Sequence, residues 1–283
     1  MKENFERKKQ YTNIQDIYKS VKIDWTNFYV YLYDTLGDPT IPFQVEPIEY
    51  LQFAKNGIKK SSNESLINSL TNAKRSIDAQ VDLLICALGF DYKKFDNYPN
   101  IKDFIKKFYK KKNNDGITEK IKLLNILGLA PTLLISETRH LRNKVEHEYI
   151  IPKIDEVNKA IEIADLFINA TNRKFQLAFY SFIIGNKSNV DRTSNDFNFP
   201  YIYFEFDMYR QSILITAVLG GEKILPHDYK YSKNKTMLIF PEDKDYLEIL
   251  KIIFEENYDM IPKIFGNSIE EKYIKKEILN KYL

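Results

Sequence analysis

The sequence predicts a mainly α fold: an antiparallel helical bundle followed by a small α+β domain with an antiparallel sheet. Three observations carry that expectation. Leu66, Leu70, Ala73, Ile77, Val81, Leu84 and Leu88 recur every three or four residues over six turns, the spacing that gives a helix one apolar stripe. Helix starts and stops punctuate the chain around that stretch, with Pro47, Ser62, Pro131 and Pro152 as openers and Gly57, Gly89 and Gly128 as terminators. After Asn172 the pattern changes to short runs of aromatic and β-branched residues, the composition of strands.

Taken in order, residues 1–46 form an aromatic N-terminal segment. Trp25, Phe28, Tyr29, Leu32 and Leu36 fall at helical spacing, which favours a helix ending at Gly37-Asp38-Pro39. Phe28, Val30 and Leu32 also alternate with tyrosines, as a strand would. The bundle spans 47–172. It begins with a short helix from Pro47 and continues with the long helix capped by Ser62 or Asn63. Ile101, Phe104, Ile105 and Phe108 mark a shorter helix, and Ile117, Ile121, Leu124 and Leu127 another. A helix opening at Pro131 is expected to run to about Tyr149. The last opens at Pro152, with Ile154, Val157, Ile161, Ala164 and Ile168 inward. The α+β domain spans 173–283, with strands expected over 175–184, 201–207, 212–219 and 236–240. Helical spacing returns over 242–258 and 268–283.

Composition narrows the function classes. No run of eighteen apolar residues occurs, so no membrane span is expected. The first residues carry no apolar signal region, and the lone Cys86 has no intramolecular disulfide partner; a cytoplasmic protein is expected. The net charge is +3, and the whole excess lies within residues 1–172. It is sharpest over 102–122, where Lys102, Lys106, Lys107, Lys110, Lys111, Lys112, Lys120 and Lys122 face only Asp103, Asp115 and Glu119. Such a local field suits a polyanion, and a solvated lysine face is the other reading.

The chemistry-bearing residues concentrate on the helix expected from Pro131. It holds His140 and His147, two of the three histidines, with Arg139, Arg142, Asn143, Lys144 and Glu146. Asn143 and His147 are four apart and share a face, and Arg139 lies on it one turn earlier. Arg142 is rotated about 100° from Asn143, within reach of a long side chain. A histidine of near-neutral pKa can take the proton of a ribose 2′-hydroxyl or protonate a leaving oxygen. A neighbouring guanidinium can stabilise the charged phosphate. Together they suffice for attack of the 2′-hydroxyl on the adjacent phosphodiester without a metal, leaving a 2′,3′-cyclic phosphate. One helix supplies one Arg and one His; two copies across a two-fold axis supply both an acid and a base. A charge-laced helix face exposed to solvent is the bland alternative.

Arg142-Asn143-Lys144-Val145-Glu146-His147, near the end of a helix in an all-helical region, resembles the signature of the HEPN family. The resemblance implies a HEPN-like bundle over about 47–172, a homodimeric, metal-independent endoribonuclease and a setting in toxin–antitoxin pairs or phage defence. It implies Arg142 as phosphate clamp, His147 as general acid/base and Asn143 as an orienting group. Arg139, Lys144, Lys106, Lys107, Lys110 and Lys111 would contact RNA, and no cofactor or metal is called for. The longer form, ending in His147-Glu148-Tyr149, is similar to toxins paired with nucleotidyltransferase antitoxins, in which the tyrosine receives AMP. That makes Tyr149 a modification candidate and an antitoxin or regulatory protein a partner candidate, while a tyrosine packed at the helix end is the favoured reading of Tyr149. A non-catalytic HEPN module that binds nucleotide or RNA, or only dimerises, uses the same residues.

The remaining candidates carry less. His227 follows Pro226 in an expected loop, and Gly220-Gly221 reads as a hairpin turn. No His/Cys cluster has metal-ligand spacing. Asp78 and Asp82 lie on one face of the long helix with Lys74 and Arg75 nearby, either orienting Arg142 or forming ion pairs along the helix. Tyr201, Tyr203 and Tyr209 offer rings for stacking on bases, or for packing.

Overall fold

The computed structural model describes residues 14–60, 62–109, 117–130, 148–186, 200–219 and 235–280. The chain forms two compact units. One comprises residues 1–35 and 179–283, and the other residues 36–178.

The first unit is built on six strands in the order β5-β4-β3-β2-β1-β6. β1 is Phe28–Leu32, β2 Ser181–Asn186, β3 Tyr201–Asp207, β4 Ser212–Val218, β5 Lys235–Ile239 and β6 Lys276–Asn280. β1 to β5 pair antiparallel in succession, whereas β6 pairs parallel to β1, with Phe28 opposite Lys276 and Leu32 opposite Asn280. One sheet face carries Phe28, Val30, Phe182, Ile184, Phe204, Phe206, Ile213 and Ile215, all buried. Rings from outside the sheet cover it: Tyr258 on Phe182 at 5.3 Å, Phe265 on Phe204 at 6.1 Å and Tyr246 on Phe206 at 6.5 Å between centroids. These come from α7 (Tyr246–Glu255) and the turns after it. Helix α1 (Ile14–Val21) adds Tyr18, which stacks on Trp25 at 5.6 Å.

The opposite face is a tyrosine cluster. Tyr29, Ile183, Tyr201, Tyr203, Leu214 and Val218 are buried there, with Tyr31, Tyr33 and Leu279 against them. The register sets Tyr29 opposite Gly185, and a Cβ on Gly185 would meet the Tyr29 hydroxyl at 2.5 Å. The ring therefore lies across bare backbone, which only glycine permits.

The described residues of the second unit are mainly helical. Its elements are α2 (Pro47–Gly57), α3 (Asn63–Ala87), α4 (Pro99–Phe108), α5 (Glu119–Ile126) and α6 (Ile154–Leu177). Ser62 caps α3 reciprocally: its Oγ accepts from the Ser65 amide at 3.2 Å, and the Ser62 amide donates to Ser65 Oγ at 2.9 Å. The stripe of Leu66, Leu70, Ala73, Ile77, Val81 and Leu84 is buried as its spacing predicts. Gly89 and Gly128 end α3 and α5 at φ 91° and 70°, the left-handed region that favours glycine after a helix. Lys55 of α2 pairs with Asp165 of α6 at 2.8 Å. Gln80 of α3 donates to Thr171 Oγ1 at 3.0 Å and Asn172 Oδ1 at 2.6 Å on α6.

The predicted mainly α fold, a bundle with a small antiparallel α+β domain after it, is corrected on several counts. The sheet has six strands and is mixed, because β6 runs parallel to β1. The helical residues are inserted between β1 and β2 of the sheet unit rather than preceding it. The helix favoured around residues 25–36 is a strand, with α1 ending earlier at Val21 and Lys22 at φ 56°. Both its faces are buried, so apolar residues at helical spacing occur alongside the alternation. The strand expected over 175–184 begins only at Ser181, since α6 runs to Leu177. Helical spacing over 268–283 gives way to β6, a short charged edge strand whose partner lies about 250 residues upstream.

Candidate functional site

The five described lysines of 102–122 separate into two groups with different surroundings. On α4, Ile101, Phe104 and Ile105 are buried, which turns Lys102, Lys106 and Lys107 outward, all exposed. Lys107 Nζ lies 4.9 Å from the centroid of the Phe108 ring. On α5 the lysines are buried or partly buried. Lys122 is 7% exposed, with its ammonium 5.4 Å from the Tyr109 ring. Lys120 pairs with Asp82 at 2.7 Å and lies 5.5 Å from the Tyr92 ring. Of the described lysines in 102–122, the exposed ones are thus those of α4. Lys110, Lys111 and Lys112 lie outside the described residues.

Asp78 and Asp82 are both engaged. Asp78 accepts from Lys74 four residues earlier, and Asp82 from Lys120. Burial raises the Asp82 carboxyl above its ordinary value, against the lowering effect of the hydrogen bond and charge of Lys120. The Cys86 thiol, one turn further along α3, is raised chiefly by burial.

Arg139, Arg142, Asn143, Lys144 and His147 lie outside the described residues, as do His140 and His227. What is described are the segments at either side. Before the motif, α5 closes through Gly128, and Asn125 Nδ2 donates to the Ala130 carbonyl at 2.8 Å. After it, Glu148 and Tyr149 are not helical, and Tyr149 takes φ 55° and is 89% exposed. Tyr149 therefore does not pack at a helix end. Pro152 is buried, and the Lys153 amide donates to Glu156 Oε2 at 2.8 Å as α6 begins.

The tyrosines considered for base stacking part company. Tyr201 and Tyr203 are buried in the sheet unit, whereas Tyr209, in the hairpin between β3 and β4, is 83% exposed. Sequence reasoning missed the partner of Tyr203: its hydroxyl donates to Glu205 Oε2 at 2.9 Å, and Glu205 is itself 7% exposed. A glutamate flanked by Phe204 and Phe206 in an apolar strand was the available signal. Among the described residues no group of three or more His, Cys, Asp or Glu side chains could hold a metal ion. None of the described helices is long and apolar enough to cross a membrane. Comparison with protein-family models, with curated proteins and with solved structures finds no match to this chain.

Proposed function

We propose that this chain is a metal-independent endoribonuclease of HEPN type that acts as a homodimer. The observation that carries the reading is the Arg142-Asn143-Lys144-Val145-Glu146-His147 sequence, set between α5 and α6 in the chain of a compact unit whose described elements are helices. The exposed Lys102, Lys106 and Lys107 of α4 in the same unit support a polyanionic substrate. His147 takes the proton from the 2′-hydroxyl or delivers one to the leaving 5′-oxygen. Arg142 neutralises charge on the phosphate during attack, and Asn143 orients the phosphate or the imidazole. Arg139 and Lys144, with Lys106, Lys107, Lys110 and Lys111, hold the strand through its phosphates. A cell must restrain such an activity, which fits a toxin or phage-defence setting with a regulatory partner in the cytoplasm.

The test separates catalysis from binding and folding. His147→Ala should abolish cleavage while RNA affinity and thermal stability stay close to wild type. Arg142→Ala should abolish cleavage and weaken binding. A folded wild type that binds nucleotide through Arg142 yet cuts no RNA would establish a non-catalytic module in its place.

A further inference from the structure

The chain enters residues 131–147 from the end of α5, where Gly128 takes φ 70°. The Gly128 amide donates to the Asn125 carbonyl at 2.9 Å and the Leu129 amide to the Leu124 carbonyl at 2.8 Å. These are the paired bonds that satisfy the last carbonyls of a helix. Leu124 and Leu129, the two positions that commonly pack together in such an ending, are both buried. Helix α3 ends the same way, with Gly89 donating to the Cys86 carbonyl at 2.9 Å and Phe90 to the Ile85 carbonyl at 3.1 Å. Cys86 there holds the position of Asn125 on α5, so an amide side chain is not what stops the helix.

What Asn125 adds lies two residues past the glycine. Its Nδ2 donates to the Ala130 carbonyl at 2.8 Å, while the Ala130 amide donates to the Leu124 carbonyl at 3.2 Å. Ala130 is 4% exposed, and a buried carbonyl needs a donor. Residue 131 is a proline, which confines the residue before it to extended backbone. Both backbone polar groups of Ala130 are therefore bound to the last turn of α5, just where the chain passes into 131–147. On the helix expected from Pro131, His147 lies about 25 Å along the axis from Ala130, at 1.5 Å per residue. A tilt of about 3° at Ala130 moves it by about 1 Å at that length.

We infer that Asn125 is a positioning residue for Arg142 and His147: held on the Ala130 carbonyl, it aims the segment that carries them. The inference rests on the nuclease reading above and deepens it.

The test uses Asn125→Ala and Asn125→Asp in the full chain, with steady-state RNA cleavage, a thermal melt and hydrogen exchange followed by peptide. Alanine removes the donor while favouring the helix; aspartate keeps the shape without the donor. Both should lower kcat about tenfold or more, since a misplacement of about 1 Å can cost about a hundredfold. The alanine variant should keep KM and the melting temperature near those of the wild type. Peptides within 131–147 should exchange faster in both variants, and those of α5 at the wild-type rate. Wild-type kcat in both variants, or unchanged exchange over 131–147, overturns the inference. So does a fall in kcat that only tracks a lower melting temperature, which would make Asn125 part of the α5 end and no more. A wild type that cuts no RNA removes the nuclease reading; exchange then decides by itself whether Asn125 aims the segment.

Discussion

Tyr203 and Glu205 stand two residues apart on one face of β3, and the phenol of the first donates to the carboxylate of the second at 2.9 Å. Both are buried, at 4% and 7% exposure. A carboxylate inside a sheet needs donors, because its desolvation is otherwise uncompensated. Tyr203→Phe keeps the ring and removes the donor. It should cost about 1–3 kcal/mol of stability, the usual consequence of depriving a buried charged group of a hydrogen bond. Adding Glu205→Gln should recover part of that loss. A Tyr203→Phe protein as stable as wild type in denaturant would show that the bond contributes little.

The tyrosine cluster carries a second expectation, in alkali. Burial raises Tyr29, Tyr203 and Tyr258 well above the ordinary phenol value of 10.0 and pushes Tyr201 up to about 12. A folded-state pKa above the unfolded one means that the contribution to stability is complete below pH 10. It is lost as pH rises through the folded values, passing about 12 for Tyr201. Tyrosinate absorbance from the buried set should therefore appear only with unfolding in alkali. A single smooth titration in a protein that keeps its fold would contradict this.

The ion pair between Asp82 and Lys120 supplies a third. Burial raises the Asp82 carboxyl, and Lys120 limits the rise. A raised folded pKa makes the contribution of Asp82 most favourable in acid and less so as pH climbs through that value. Lys120→Ala removes the opposing charge and hydrogen bond, so the carboxyl rises further. The variant should melt close to wild type below pH 3.8, the ordinary carboxylate value. By neutral pH it should have lost about 1–2 kcal/mol. A deficit of the same size at every pH would point to the lost contact of the Lys120 ammonium with the Tyr92 ring instead.

Local signals were legible where the structure is local. The stripe from Leu66 to Leu84, the Ser62 cap and the glycines at 89 and 128 specify α3 and the end of α5 without help from the rest of the chain. The hairpin from Tyr201 to Val218 was equally readable, because its two strands adjoin and its turn is short. The long-range pairings were not. β1 finds its neighbours about 150 and 250 residues away, and no composition of five residues encodes partners at that separation. β6 is disguised further by lysine, glutamate and asparagine, residues suited to an edge. Of the candidate site, the lysines show the same division. Their number was visible in the sequence, but not that α4 presents its lysines while Lys120 and Lys122 serve Asp82, Tyr92 and Tyr109.

The central claim is that Arg142 and His147 cut RNA by activating the neighbouring 2′-hydroxyl, with no cation in the chemistry. It is tested most directly by incubating the purified full-length protein with RNA in excess chelator and determining the ends of the products. The account predicts undiminished cleavage, a 2′,3′-cyclic phosphate on one fragment and a 5′-hydroxyl on the other, all lost in His147→Ala. Cleavage that stops on chelation, or fragments with 5′-phosphate ends, would contradict it.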